Sequence, residues 1–264
     1  MTYVGVENLV KKYGTEEAAV MAVRGISFEA HPGDWIAFMG ESGSGKSTLL
    51  SMLGALNTPT SGKYRVDGVD VYSLEQEERA DFRRTYLGFV FQSFHLVSYL
   101  TVRENVMLPL APVKIRGKEK KAKADEALAR VGLEGKGNRL PNQISGGEQE
   151  RVAVARAIVN HPSILLADEP TGNLDTKTTR GIMELLKRLN SEGMTILMVT
   201  HNPECAQYAR RVLYLSDGLV LEKEEPAGKE GGNGRGLDEW KGEATAADRS
   251  RYNVFFEKFF KGGS

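Results

Sequence analysis

Nine consecutive residues, Gly40-Glu41-Ser42-Gly43-Ser44-Gly45-Lys46-Ser47-Thr48, restrict what this chain can fold into more than any other stretch. They follow the pattern Gly, four free positions, Gly, Lys and Ser/Thr, in which each residue type has a physical task. Gly43 and Gly45 lack a Cβ, so the backbone can turn tightly and aim successive N–H groups into one concavity. Such a concavity takes the oxygens of a di- or triphosphate. Lys46 adds a point charge toward the β- and γ-phosphates, and the Ser47 hydroxyl suits a bound Mg2+. The flanks agree: Trp35 to Met39 reads as a short buried strand running into the loop, and Ser47 to Leu56 as a helix with its positive N-terminus on the phosphates.

A chain of 264 residues can bury a sizeable core, enough for one large domain or two modest ones. The 35 Lys and Arg balance the 35 Asp and Glu, so bulk electrostatics predict no nucleic-acid partner. The single cysteine, Cys205, excludes an intramolecular disulfide and fits a reducing compartment. No apolar run approaches the ~18 residues that cross a bilayer, and no basic-apolar leader opens the chain. A soluble, cytosolic chain is expected.

Around the loop, the N-terminal stretches Tyr3 to Val10 and Val20 to Ala30 read as an antiparallel strand pair across the polar loop Gly14 to Glu17. Tyr13 ends the first strand, either to stack on a purine base or as a half-buried strand end. Lys63 to Val71 reads as a hairpin about Asp67-Gly68. Leu87 to Phe91 is a buried strand ending at Gln92, which either ligates Mg2+ and orients water or is an ordinary polar strand end. From Ser93 onward the pattern turns helical, over Leu100 to Leu110 and Lys114 to Val131. The basic run Lys114 to Lys123 is interleaved with Glu119 and followed by Asp125 and Glu126, so it reads as a solvated helix face.

Two further stretches carry chemistry. Ile144 to Gln149 opens a helix that Ser145 caps, and Gly146 and Gly147 leave its first N–H groups open to an anion. That is a second phosphate-binding helix end, one more than a single triphosphate requires. Ile164 to Pro170 is an apolar strand ending in Asp168 and Glu169. Alternation lets only one of them point inward, which suits Asp168 to Mg2+ and Glu169 to an attacking water as general base. Met194 to Thr200 is another buried strand, with His201 at its carboxyl end.

In order and spacing, these motifs resemble the ATP-binding cassette (ABC) ATPases over Thr2 to Glu222. The resemblance makes Tyr13 the adenine-stacking aromatic and Gly40 to Thr48 the Walker A loop. Gln92 becomes the Q-loop glutamine, Ser145-Gly146-Gly147-Glu148 the signature, and Asp168 and Glu169 the Walker B pair. Asp175, in Gly172-Asn173-Leu174-Asp175, matches the D-loop aspartate, and His201 the switch histidine. It implies an α/β phosphate-loop fold: a mainly parallel sheet core flanked by helices, an N-terminal antiparallel β subdomain and an inserted helical subdomain at about 93–160, all within 1–224. It also implies that the signature serves the nucleotide of a second copy, so that two chains sandwich two MgATP head to tail.

Ser-Gly-Gly-Glu-Gln, Gly-Asn-Leu-Asp and Thr101 to Val106 resemble the lipoprotein-release (LolD-type) and macrolide-export (MacB-type) branch. That branch implies an ATP-hydrolysing subunit at the cytoplasmic face of the inner membrane, driving a separate integral membrane subunit. The alternatives are the ATPase of an importer for amino acids or similar solutes, and a soluble ABC ATPase acting on DNA or ribosomes. Roughly a hundred residues separate Walker A from the signature, too few for the long coiled coil of the DNA-acting members. Past Glu222, the sequence predicts a Gly-rich linker at 225–247 and a short amphipathic helix at 248–261, with Tyr252, Phe255, Phe256, Phe259 and Phe260 on one face. That face docks on its own domain or dimer mate, or contacts the membrane or the transmembrane partner.

Overall fold

The computed structural model describes residues 3–14 and 19–221. The linker and the terminal helix expected beyond Glu222 lie outside the described residues.

Two sheets organise the chain. The first is antiparallel, with strands β1 (Val4–Tyr13), β2 (Val20–Ala30), β4 (Ser61–Val66) and β5 (Val69–Asp70) in the order β2-β1-β4-β5. The hairpin expected at Asp67-Gly68 joins β4 to β5, and both residues take the positive φ that such a tight turn demands, 50° and 80°. β4 also pairs with β1, which puts the hairpin into the N-terminal sheet.

The second sheet is mainly parallel. Its strands are β3 (Trp35–Met39), β6 (Leu87–Val90), β7 (Ile164–Asp168), β8 (Thr195–Thr200), β9 (Arg211–Ser216) and β10 (Leu219–Leu221), in the order β10-β9-β3-β8-β7-β6. Only the β9–β10 pair is antiparallel. β3, β7 and β8 are apolar on both faces, as strands covered by helices on each side must be. Because β9, β3, β8, β7 and β6 run the same way, their carboxyl ends share one edge. Loops that leave that edge meet there even though they come from positions far apart in sequence.

Among the described residues seven α-helices cover the sheets: α1 (Lys46–Leu53), α2 (Gln76–Tyr86), α3 (Val102–Met107), α4 (Gly117–Arg130), α5 (Gly146–Ile158), α6 (Thr176–Ser191) and α7 (Pro203–Ala206). The helix expected over Leu100 to Leu110 is shorter. Thr101 caps it with a reciprocal Glu104 box, and at Leu108–Leu110, where Pro109 removes a backbone donor, it tightens into a 3-10 turn. Helix α2 has no counterpart in the sequence reading. Of its eleven residues only Phe82 and Tyr86, at i and i+4, are buried, their rings stacked 5.1 Å apart. The charged remainder hides so narrow a stripe. α3, α4 and α5 pack on one another through Val102, Val106, Ala124, Ala127, Leu128, Val152 and Ala155. Each fully buried Val or Leu contributes about 1.5–3 kcal/mol, and this three-helix unit shares one apolar core with the sheet.

Candidate active site

The loop Gly40–Thr48 joins β3 to α1, and its shape is set by backbone neighbours. A Cβ on Gly40 would stand 2.2 Å from the Leu215 carbonyl oxygen, and one on Gly45 2.2 Å from that of Ala22. Gly45 also has φ 100°, in the left-handed region. The loop is thus pressed between β2 and β9, and the Gly218 N–H donates to the Ser44 carbonyl at 3.1 Å. Within it, Ser42 and Ser47 are exposed, Thr48 is half-buried and Lys46 is buried. The Lys46 ammonium donates to the carbonyls of Gly40 (2.8 Å) and Glu41 (2.7 Å). Neutral carbonyls are weaker partners for an ammonium than phosphate oxygens, so an entering polyphosphate competes for it on favourable terms. The Ser44 hydroxyl is buried with no hydrogen-bond partner among the described residues. A buried polar atom of that kind calls for a ligand.

Asp168 ends β7 half-buried, hydrogen-bonded by the Ser47 hydroxyl and close to Lys46. Burial raises its carboxyl above the ordinary range and the Glu169 charge adds to this, while Ser47 and Lys46 pull the other way. A carboxylate disfavoured by burial and by a like charge is relieved by a cation. No three His, Cys, Asp or Glu side chains among the described residues form a metal cage. Ser47 and Asp168 fit Mg2+ nonetheless, because that ion keeps most of its waters and binds through one or two protein oxygens plus phosphates.

The strand stops at Asp168, and Glu169 adopts φ 46°. That conformation is sparsely populated for a residue with a side chain and is characteristic of functional turns. Alternation therefore does not decide where Glu169 points. Its N–H is held by the Val199 carbonyl at 2.9 Å, and its Oε2 lies 2.8 Å from Nδ1 of His201, just past β8. Beside the pair opens a cleft of about 170 Å3, lined by Glu169, Thr171, Gly172, Leu174, His201 and Asn202 among others. Gln92 follows β6 on the same edge. A Cβ on Gly172 would stand 2.9 Å from its Nε2, and its carbonyl accepts from Asn173 Nδ2 at 2.9 Å. The sequence assigned Asp175 to the D-loop; in the fold its carboxylate caps α6, accepting from the N–H (3.0 Å) and hydroxyl (2.6 Å) of Thr178.

The signature opens α5 as expected. Ser145 Oγ accepts from the Glu148 N–H at 3.3 Å, and Glu148 Oε2 accepts from the Ser145 N–H at 2.9 Å. Gly146 and Gly147 form the first turn, so helix dipole and free N–H groups face outward from Ser145. No hydrogen bond or ion pair among the described residues joins Ser145–Glu148 to Gly40–Thr48. Tyr13 is partly exposed at the end of β1, its hydroxyl bonded to Asn57 and its ring 5.0 Å from the Lys11 ammonium.

Two features escaped the sequence reading. Arg156, on α5, donates to the carbonyls of Phe94 (2.6 Å) and His95 (2.5 Å), which follow Gln92 with φ of 48° and 49°. Glu150, also on α5, is fully buried, and neither of its carboxylate oxygens has a hydrogen-bond partner among the described residues. Burial pushes Glu150 up to about 8, with the nearby Arg156 charge opposing. A charged residue two places beyond the signature was the one available hint of a buried carboxyl.

Known proteins of one family resemble this chain. The sequence profile of the family described as "ABC transporter" matches residues 23–172. The macrolide export ATP-binding/permease protein MacB of Syntrophobacter fumaroxidans is 46% identical over 223 residues, which are 83% of this chain and 31% of that protein. The chain thus spans about a third of the length of the MacB relatives it matches. The ABC transporter ATP-binding protein YknY of Bacillus subtilis is 44% identical over 214 residues, 81% of this chain and 93% of YknY. Among solved structures, a dimeric post-hydrolysis state of the cassette MJ0796 bound to ADP and Pi has a TM-score of 0.77 at 42% identity. It covers 86% of this chain and 100% of its own.

Proposed function

Since the chain belongs to the ABC transporter family, as an ATP-hydrolysing cassette, we propose that two copies close head to tail around two MgATP and drive a separate integral membrane subunit. The observation that carries this reading is the convergence of Gly40–Thr48, Gln92, Asp168, Glu169 and His201 on one sheet edge, while no hydrogen bond or ion pair among the described residues ties Ser145–Glu148 to that loop. A second anion-binding helix end not tied to the first is suited to the nucleotide of another chain. MJ0796, at 42% identity, is a dimer with ADP and Pi in its solved structure.

In this reading the amides of Ser42, Gly43, Ser44 and Gly45 and the Lys46 ammonium hold the β- and γ-phosphates, and Thr48 helps to seat the α-phosphate. Tyr13 stacks on the adenine. Ser47, Asp168 and Gln92 would hold Mg2+, which when bound would neutralise phosphate charge. Glu169 orients and deprotonates the attacking water in line with the γ-phosphate, and its turn out of β7 aims it there. His201, 2.8 Å from Glu169, fixes the carboxylate and faces the γ-phosphate. The Ser145 hydroxyl and the Gly146 and Gly147 N–H groups of the second copy face the charge that develops there, with Glu148 and the D-loop Asp175 at the same interface.

No helix among the described residues is long and apolar enough to cross a membrane. The MacB relatives are named as joint ATP-binding and permease proteins, and this chain aligns with 31% of the first. In the proposed reading a separate membrane subunit supplies the permease part, and the chain works at the cytoplasmic face of the inner membrane through contact with it. The test is co-purification with the membrane protein and measurement of ATP turnover with and without it. Stimulated turnover and a dimer that forms only with MgATP are expected. A monomer at all MgATP concentrations overturns the reading.

A further inference from the structure

The signature of this chain contains a physical conflict. Glu148, at the third position of α5, completes the capping box, yet it places a carboxylate at the helix end offered to an anion. Lys136 answers it. Its ammonium pairs with Glu148 Oε1, while Oε2 is taken by the Ser145 N–H, so both oxygens are engaged inside the chain. The pair holds Glu148 down at about 2, with Lys136 the first cause and the Ser145 amide the second. The two side chains are only 35% and 26% exposed, which limits screening by solvent.

Lys136 is also fixed in place. It sits in a turn whose Gly137 and Arg139 carbonyls accept from the N–H groups of Arg103 (2.9 Å) and Val102 (2.8 Å), the first residues of α3. A Cβ on Gly137 would stand 2.8 Å from the Arg103 guanidinium, which in turn bonds Asp125 at 2.6 Å and Asn138. An exposed lysine on a free loop needs no such scaffold.

We propose that Lys136 is a positioning residue for the composite site: it cancels the Glu148 charge and keeps that carboxylate turned away from the nucleotide phosphate brought by the second copy. The inference rests on the dimer reading above. With Lys136 in place the end of α5 stays electropositive; without it a net negative charge meets the triphosphate.

The test uses the full chain carrying Glu169→Gln, which slows hydrolysis, and follows MgATP-dependent dimerisation by sedimentation at low and high salt. Lys136→Ala is expected to raise the half-maximal MgATP concentration by about tenfold at low salt, the scale of one lost charge pair near a surface, and by less at high salt. In the Lys136→Ala, Glu148→Gln double variant, that concentration is expected to return to within about twofold of Glu148→Gln alone, because the charge to be cancelled is gone. A purely structural Lys136 predicts no such rescue, and thermal melts establish that each variant is folded. Unchanged dimerisation of folded Lys136→Ala overturns the proposal, and so does absence of rescue. If the Glu169→Gln parent fails to dimerise with MgATP, the dimer reading itself falls, and this inference with it.

Discussion

Nδ1 of His201 lies 2.8 Å from Oε2 of Glu169, linking the residues that follow two adjacent parallel strands, β8 and β7. A base held by one neighbour has a defined direction, and its removal costs turnover rather than binding. Glu169→Gln is expected to retain MgATP binding and lower kcat by about 100-fold or more, with His201→Ala losing a similar order. Equilibrium nucleotide binding alongside steady-state phosphate release checks both, and a Glu169→Gln chain that turns over at the wild-type rate removes the assignment.

Gly45 offers a steric prediction. Alanine there meets the Ala22 carbonyl at 2.2 Å and must hold φ 100°. Gly45→Ala is expected to abolish nucleotide binding and to destabilise the fold by about 1–3 kcal/mol, the cost of a strained backbone conformation. Gly43 has φ 84° but open space around its Cβ position, so Gly43→Ala suffers only the backbone strain. Chemical denaturation of the two variants ranks them.

Glu150 predicts a pH dependence whose sign can be worked out. Burial lifts its pKa from the ordinary 4.5 to about 8. Between those values the folded chain keeps a proton that the unfolded chain has released. Its contribution to stability is complete below pH 4.5 and is lost as pH rises through 8. Glu150→Gln, which cannot ionise, is expected to show a smaller fall in Tm between pH 5.5 and pH 8.5 than the wild type. Parallel slopes for the two proteins would remove the buried carboxyl from the account.

Arg156 holds the carbonyls of Phe94 and His95, two left-handed residues close behind Gln92. Arg156→Lys keeps the charge but cannot present the planar fork that reaches both carbonyls. It is expected to reduce stimulation of ATP turnover by the membrane subunit more than it reduces the unstimulated rate. Equal losses in both would make Arg156 a residue of general stability.

Much of this fold announces itself locally. β3, β7 and β8 are continuous apolar runs; β7 ends at Asp168, β8 runs into His201 and β3 into the loop that leads to Lys46, so their place at one sheet edge was legible before their neighbours were known. The Ser145 cap was equally plain, since Ser-x-x-Glu writes a capping box into the sequence. What stayed hidden depends on distant partners. Helix α2 keeps only Phe82 and Tyr86 inside, too narrow a stripe to stand out from its charges. The direction of Glu169 follows from a left-handed backbone turn that strand alternation does not foresee. Nothing in the sequence singles out Lys136, which only the fold sets beside Glu148.

The phosphate loop is braced by the part of the described chain that is synthesised last. The Leu215 carbonyl packs on Gly40, the Gly218 N–H reaches Ser44, and the Gly218 carbonyl accepts from the Arg24 N–H at 2.8 Å. A growing chain that has emerged only as far as α6 carries the loop's sequence but not the walls that shape it. Contacts of such sequence separation form late. A chain cut short before β9 is therefore expected to bind nucleotide poorly although it carries the whole loop.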